Sequence, residues 1–125
     1  MKKLLLIPIL LLSAAISSYA QPKSMTIKEF RALAEGDETE CLLKGVVTVV
    51  KIPDRGSFYI KDETGEVLVF GIKDDEGKLF KELDIRVGDT LTVSGRKTFY
   101  QRVVMEMKDA LLVSKSDSPY HDKME

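Results

Sequence analysis

The residues with the most chemical potential in this chain are bases and aromatics gathered in one run. Gly95 to Val104 (GRKTFYQRVV) holds three bases, two aromatics and no acid. Lys and Arg meet phosphates, and aromatic faces stack on bases. This combination is therefore what binding of a single nucleic-acid strand needs. Stacking contributes roughly 1–3 kcal/mol per base, and the phosphate contacts weaken with salt. The same aromatic face also suits an oligosaccharide or a peptide. Adjacent strand residues face opposite sides, so Phe99 and Tyr100 cannot both serve one face, and the sequence leaves open which is exposed and which packs. A second cluster, Asp74-Asp75-Glu76, has hard oxygen ligands. Its spacing lacks the alternating ligands of a calcium loop, so it reads as helix N-terminal charge on a solvated loop. The single Cys41 cannot close an intramolecular disulfide, and with only one His (His121) no Cys/His zinc site is expected. A triad would need that His in a polar tail. No catalytic residue, metal or cofactor is expected, and the chain reads as a non-enzyme.

These residues need elements to position them, and 125 residues supply one domain at most. With 44% apolar and 31% charged residues, the composition excludes wholesale disorder. Lys2 and Lys3 precede an apolar stretch from Leu4 to Ile16. At about 1.5 Å per residue that stretch is too short to cross a roughly 30 Å hydrocarbon core. Ser18-Tyr19-Ala20 then offers small residues at −3 and −1, so residues 1–20 read as a secretory signal peptide of bacterial style, cleaved near Ala20. The protein is expected to be exported, periplasmic or secreted, without stable membrane insertion. Removing Lys2 and Lys3 from the 19 bases leaves 17 against 20 acids, a net charge of −3. The basic run is thus a local departure in an acidic chain. Cys41 sits in a strand pattern and is expected to be buried as a small apolar residue.

Residues 21–25 read as a loose lead. Thr26 and Glu29 form a capping box, and Ile27, Phe30, Leu33 and Ala34 repeat at helical spacing. Glu35 to Glu40 (EGDETE) reads as a solvated turn. Cys41 to Ile52 is strand one, interrupted by Gly45, which marks a bulge or sharp coil. Pro53-Asp54-Arg55-Gly56 is a turn. Ser57 to Glu63 alternates, with Phe58 and Ile60 inward and Tyr59 and Lys61 outward. After Thr64-Gly65, Glu66 to Ile72 completes a hairpin. Leu79, Phe80 and Leu83 have helical spacing, which predicts a short helix over about Gly77 to Leu83 that buries all three. Thr90 to Ser94 is strand four, Gly95 to Arg102 a loop or flared hairpin end, and Val103 to Val113 strand five, with Met105 and Met107 as core fillers. Residues 114–125 read as a mobile polar tail. Five short strands without long open edges call for a closed barrel.

The run GSFYIKDETGEVLVFG, Gly56 to Gly71, resembles the second and third strands of the OB-fold. Val87 to Gly95 (VGDTLTVSG) resembles that family's approach to strand four, and the Gly45 break also fits. The resemblance covers roughly Ser24 to Val113. It implies a mainly β, five-stranded Greek-key barrel over residues 26–113, with a short N-terminal helix and a helix between strands three and four. Small exported bacterial OB-fold proteins, including the periplasmic stress-associated family, match the length and signal peptide. Nucleic-acid-binding OB domains share the KDETG hairpin.

In OB-folds the ligand face is strands two and three with the flanking loops. The resemblance therefore implies a groove with Lys51, Arg55, Tyr59, Lys61, Arg96, Lys97, Phe99, Tyr100 and Arg102 near it. The function implied is a non-catalytic exported binding protein for single-stranded nucleic acid or another extended ligand. The alternative is a periplasmic stress or adaptor protein that binds a small ligand or a protein partner. A third reading is a calcium-dependent secreted nuclease. Asp54, Asp62, Glu63, Arg55 and Arg96 supply its residue types, but not at matching positions.

Overall fold

The structure, a computed structural model, describes residues 21–100 and 104–119, and for Tyr100 and Val104 the backbone only. The expected signal peptide, 1–20, lies outside the described residues, as does Arg102. The elements are β1 (Lys23–Ser24), α1 (Ile27–Arg31), β2 (Cys41–Ile52), β3 (Ser57–Lys61), β4 (Glu66–Val69), β5 (Thr90–Tyr100) and β6 (Val104–Ser116). Two 3-10 turns, Pro53–Arg55 and Phe80–Glu82, lie between strands.

The barrel closes through β2. Its first half pairs antiparallel with β5, from Cys41 opposite Gly95 to Val46 opposite Thr90. Its second half pairs antiparallel with β3, from Val46 opposite Lys61 to Ile52 opposite Ser57. Running β2-β3-β4-β6-β5 and back to β2, five strands leave no open edge among themselves, and β4 and β6 are the parallel pair. The seam depends on Gly45: a Cβ there would come within 2.9 Å of the Lys61 carbonyl oxygen. β1 adds a parallel two-residue pairing outside β2, where a loose lead was expected.

Alternation along the strands fills the inside. Leu43, Val47, Phe58, Ile60, Val67, Val69, Leu91, Val93 and Met107 are buried, and Cys41 is buried as expected. Phe80 packs on Phe58 with ring centroids 5.6 Å apart. α1 adds Ile27 and Phe30 to the same core. Every N–H of its first turn has a partner. Thr26 Oγ1 accepts from Glu29 N–H, while Asp62 and Thr64 of the β3–β4 turn accept from Ile27 and Lys28 N–H at 2.9 and 3.0 Å.

The helices are smaller than the spacing predicts. α1 stops at Arg31 because the chain tightens: Leu33 N–H bonds the Phe30 carbonyl, and Lys97 Nζ draws the carbonyls of Arg31 (2.7 Å) and Leu33. The helix expected over Gly77 to Leu83 is replaced by the 3-10 turn Phe80–Glu82. Asp74 Oδ1 accepts from the N–H groups of Glu76 and Lys78, Gly77 takes φ 84°, and Lys73 pairs with Leu79, so the chain doubles back where the helix would begin. Phe80 is buried and Leu83 packs partly on the core, but Leu79 stays 60% exposed. The expected loop after Gly95 is strand instead. β5 continues through a bulge between Ser94 and Arg96. A Cβ on Gly95 would meet Met107 Cγ at 2.5 Å, so the glycine is where β6 presses against β5. β6 runs on to Ser116. Beyond it, Ser118 N–H donates to the buried Asp89 carboxylate at 2.8 Å, and Arg86 N–H donates to the other oxygen at 2.9 Å.

Candidate ligand cleft

The outer face of β3, β4 and β6 carries two rows of side chains. Tyr59, Leu68 and Glu106 are in register across the three strands, and Thr98 of β5 lies opposite Glu106. Alongside them, Ser57 and Phe70 cover the turn end of the same face, with Ile52 of β2 opposite Ser57. Together with Lys51 and Arg55 these side chains, Thr98 excepted, line a cleft of about 690 Å³. That lies within the roughly 300–1,000 Å³ typical of ligand sites.

The cleft is apolar and aromatic at its walls. Tyr59 is half-buried and Phe70 is 39% exposed. Lys51 is the penultimate residue of β2 and Arg55 ends the 3-10 turn Pro53–Arg55. Both are exposed, and among the described residues neither makes an ion pair. Glu106 is the opposite case: it is 8% exposed, and no described residue donates to its carboxylate. Burial pushes its pKa above the usual glutamate value.

Of the residues the resemblance brought together, Lys51, Arg55 and Tyr59 share this cleft. Lys61 is exposed on the same face of β3, two residues beyond Tyr59, and does not line it. Arg96 and Lys97 belong elsewhere. Arg96 donates to the Glu38 carbonyl at 3.2 Å and pairs with Glu40 at 3.2 Å and Asp109 at 3.7 Å. Lys97 is 8% exposed, caps the carbonyl end of α1, and lies 5.2 Å from the Phe99 ring centroid. Glu35–Glu40 is the exposed turn expected, and it draws Arg96 away through the Glu38 carbonyl and the Glu40 carboxylate, while the carbonyls of Arg31 and Leu33 draw Lys97; Glu38 also pairs with Lys108 at 3.4 Å. Phe99 is half-buried and lines a separate groove with Glu35, Gly36 and Glu38. The side chain of Tyr100 and all of Arg102 lie outside the described residues.

The residues of the nuclease reading are also dispersed. Asp54 pairs with Lys81, which holds its carboxyl below the usual range. Asp62 is occupied by the α1 N-terminus, and Arg96 by Glu40. No group of three His, Cys, Asp or Glu among the described residues is arranged to hold a metal. Sequence reasoning missed Ile52, Phe70 and Glu106. The alternation Met105-Glu106-Met107 did place Glu106 on the outer face, but no local signal shows that neighbouring strands bury it there.

Compared by sequence, the chain matches no family description and no curated protein. Compared by structure, it is similar to a chain of the replication protein A heterotrimer bound to ssDNA, with TM-score 0.55 and 14% identity, covering 83% of this chain and 87% of that one. It is also similar to the hypothetical protein YgiW from E. coli (TM-score 0.47, 19% identity, 73% and 90% covered). The telomere capping protein Ten1 from Saccharomyces pombe is a third such structure (TM-score 0.49, 14% identity, 83% and 93% covered). At such identities the likeness is one of fold. With the strand order and the closed barrel, the chain has the OB-fold.

Proposed function

We propose that this chain is an exported, non-catalytic OB-fold binding protein that takes a single-stranded nucleic acid along the outer face of β3 and β4. One observation carries the reading: Lys51 and Arg55, without ion pairs among the described residues, flank a cleft walled by Tyr59 and Phe70. Cations at a rim meet phosphates, and aromatic walls stack bases. Lys61 extends the cationic track beyond Tyr59. The replication protein A chain, whose heterotrimer was captured with ssDNA, lends the reading support at the level of fold.

Fluorescence anisotropy of the purified protein with labelled oligonucleotides tests it. Three phosphate contacts imply a log–log salt slope of about −2 for a single strand. Lys51→Ala and Arg55→Ala should each weaken binding and flatten that slope, whereas Arg96→Ala should leave both unchanged. Absence of binding at low salt would overturn the proposal.

A further inference from the structure

We infer that the cleft prefers a guanine base, held at its Watson–Crick edge by the Glu106 carboxylate, with the attached phosphate on Lys51 and Arg55. The inference rests on the nucleic-acid reading of the same cleft and assigns its specificity.

The argument begins with a buried group that has no partner. Glu106 is more than nine-tenths buried, lines the cleft, and receives no hydrogen bond from any described residue. Leaving a buried polar group unpaired is costly, and a ligand that supplies donors removes the cost. Across β4 from Glu106 stands Tyr59, two strand spacings or roughly 10 Å away. A base stacked toward Tyr59 would therefore present an edge, not a face, to the carboxylate.

An ionised carboxylate only accepts hydrogen bonds, and it has two oxygens side by side. Among unpaired bases, guanine alone sets two donors next to each other on one edge, N1–H and the 2-amino group. Adenine and cytosine place a ring-nitrogen acceptor beside their amino group, and that acceptor would face the carboxylate. Thymine and uracil flank one N–H with two carbonyls. An arginine side chain could also satisfy Glu106, but a cationic peptide would have to pass Lys51 and Arg55. A nucleotide has the matching layout, with donors on the base and negative charge on the phosphate.

The test compares an all-thymine 9-mer with the same strand carrying one central guanine or one central hypoxanthine, which lacks the 2-amino group. Guanosine monophosphate and a short arginine-containing peptide serve as competitors. One guanine should tighten binding roughly tenfold, and hypoxanthine should lose most of that gain. Glu106→Gln should erase the guanine preference, bringing the guanine and all-thymine strands to equal affinity. Competition by guanosine monophosphate at the strand's own affinity would support guanine recognition and identify a free nucleotide as the source. Equal affinity for the guanine and all-thymine strands would overturn this inference while the strand-binding proposal stood. No binding to any strand would sink both. Tighter binding of the peptide would replace the nucleotide with a cationic protein segment.

Discussion

Glu106 gives up water on folding without gaining a partner among the described residues, and burial pushes its pKa above the usual glutamate value. The folded state then holds this proton to higher pH than the unfolded chain does. The stabilisation from this group is fully present below the unfolded value, about 4.3, and is lost as pH rises through the raised folded value. Glu106→Gln should therefore be more stable than wild type at pH 8 by on the order of 1 kcal/mol. The gap should close near pH 4. Urea midpoints at the two pH values read it, and equal midpoints at pH 8 would mean the carboxylate is well solvated. Lys97 is the reverse case. Its charge suggested a ligand contact, yet it serves carbonyls of Arg31 and Leu33, far away in sequence. Residue type was legible in the sequence; the address of a long flexible side chain was not, because it is set by tertiary neighbours.

At the scale of elements, the turn between β3 and β4 does more than reverse the chain. Burial pushes the Asp62 carboxyl up, but hydrogen bonds from the Thr64 hydroxyl and the N–H groups of Ile27, Thr64 and Gly65 outweigh it. They hold its pKa below the usual aspartate range. That stabilisation is present above the unfolded value, about 3.9, and is lost as pH falls through the depressed folded value. Asp62→Ala should cost about 2 kcal/mol at pH 7 and release α1 from the hairpin. Loss of helical protection in amide exchange at Phe30 would register this, and an unchanged urea midpoint would refute it. The β3–β4 hairpin itself was legible, since Phe58 and Ile60 alternate with Tyr59 and Lys61. The helix over Gly77 to Leu83 was misread because three apolar residues at helical spacing also suit a turn that buries one of them. Gly95 was taken as a strand end, although a glycine can equally be the point where two strands press together.

For the whole molecule, composition indicated a small acidic domain, and the barrel explains how such a chain can keep a cationic rim. Glu38 and Glu40 are spent on Arg96 and Lys108, at a distance from Lys51 and Arg55 in the chain, and none of these four residues lines the cleft. A closed barrel was implied by five short strands that could leave no long edges open, whereas the cleft formed only once β6 came alongside β4, a pairing of residues nearly forty positions apart. Since Val46 is paired on both sides, with Lys61 and Thr90, neither half of the barrel can open without breaking the seam. Native-state hydrogen exchange should therefore show Val47 and Leu43 N–H opening only with global unfolding, and Glu66 or Lys73 exchanging by smaller openings. Faster exchange at Val47 than at Glu66 would contradict this account.

The bond from Ser118 to Asp89 has a practical side. The segment after β6 acts as a latch over a carboxylate that no water reaches, and it ties the end of the last strand to the turn that launches β5. An affinity handle or fluorophore belongs after residue 119, where the latch stays shut. Trimming back to the end of β6 would strip that carboxylate of a donor and loosen the barrel where β5 begins.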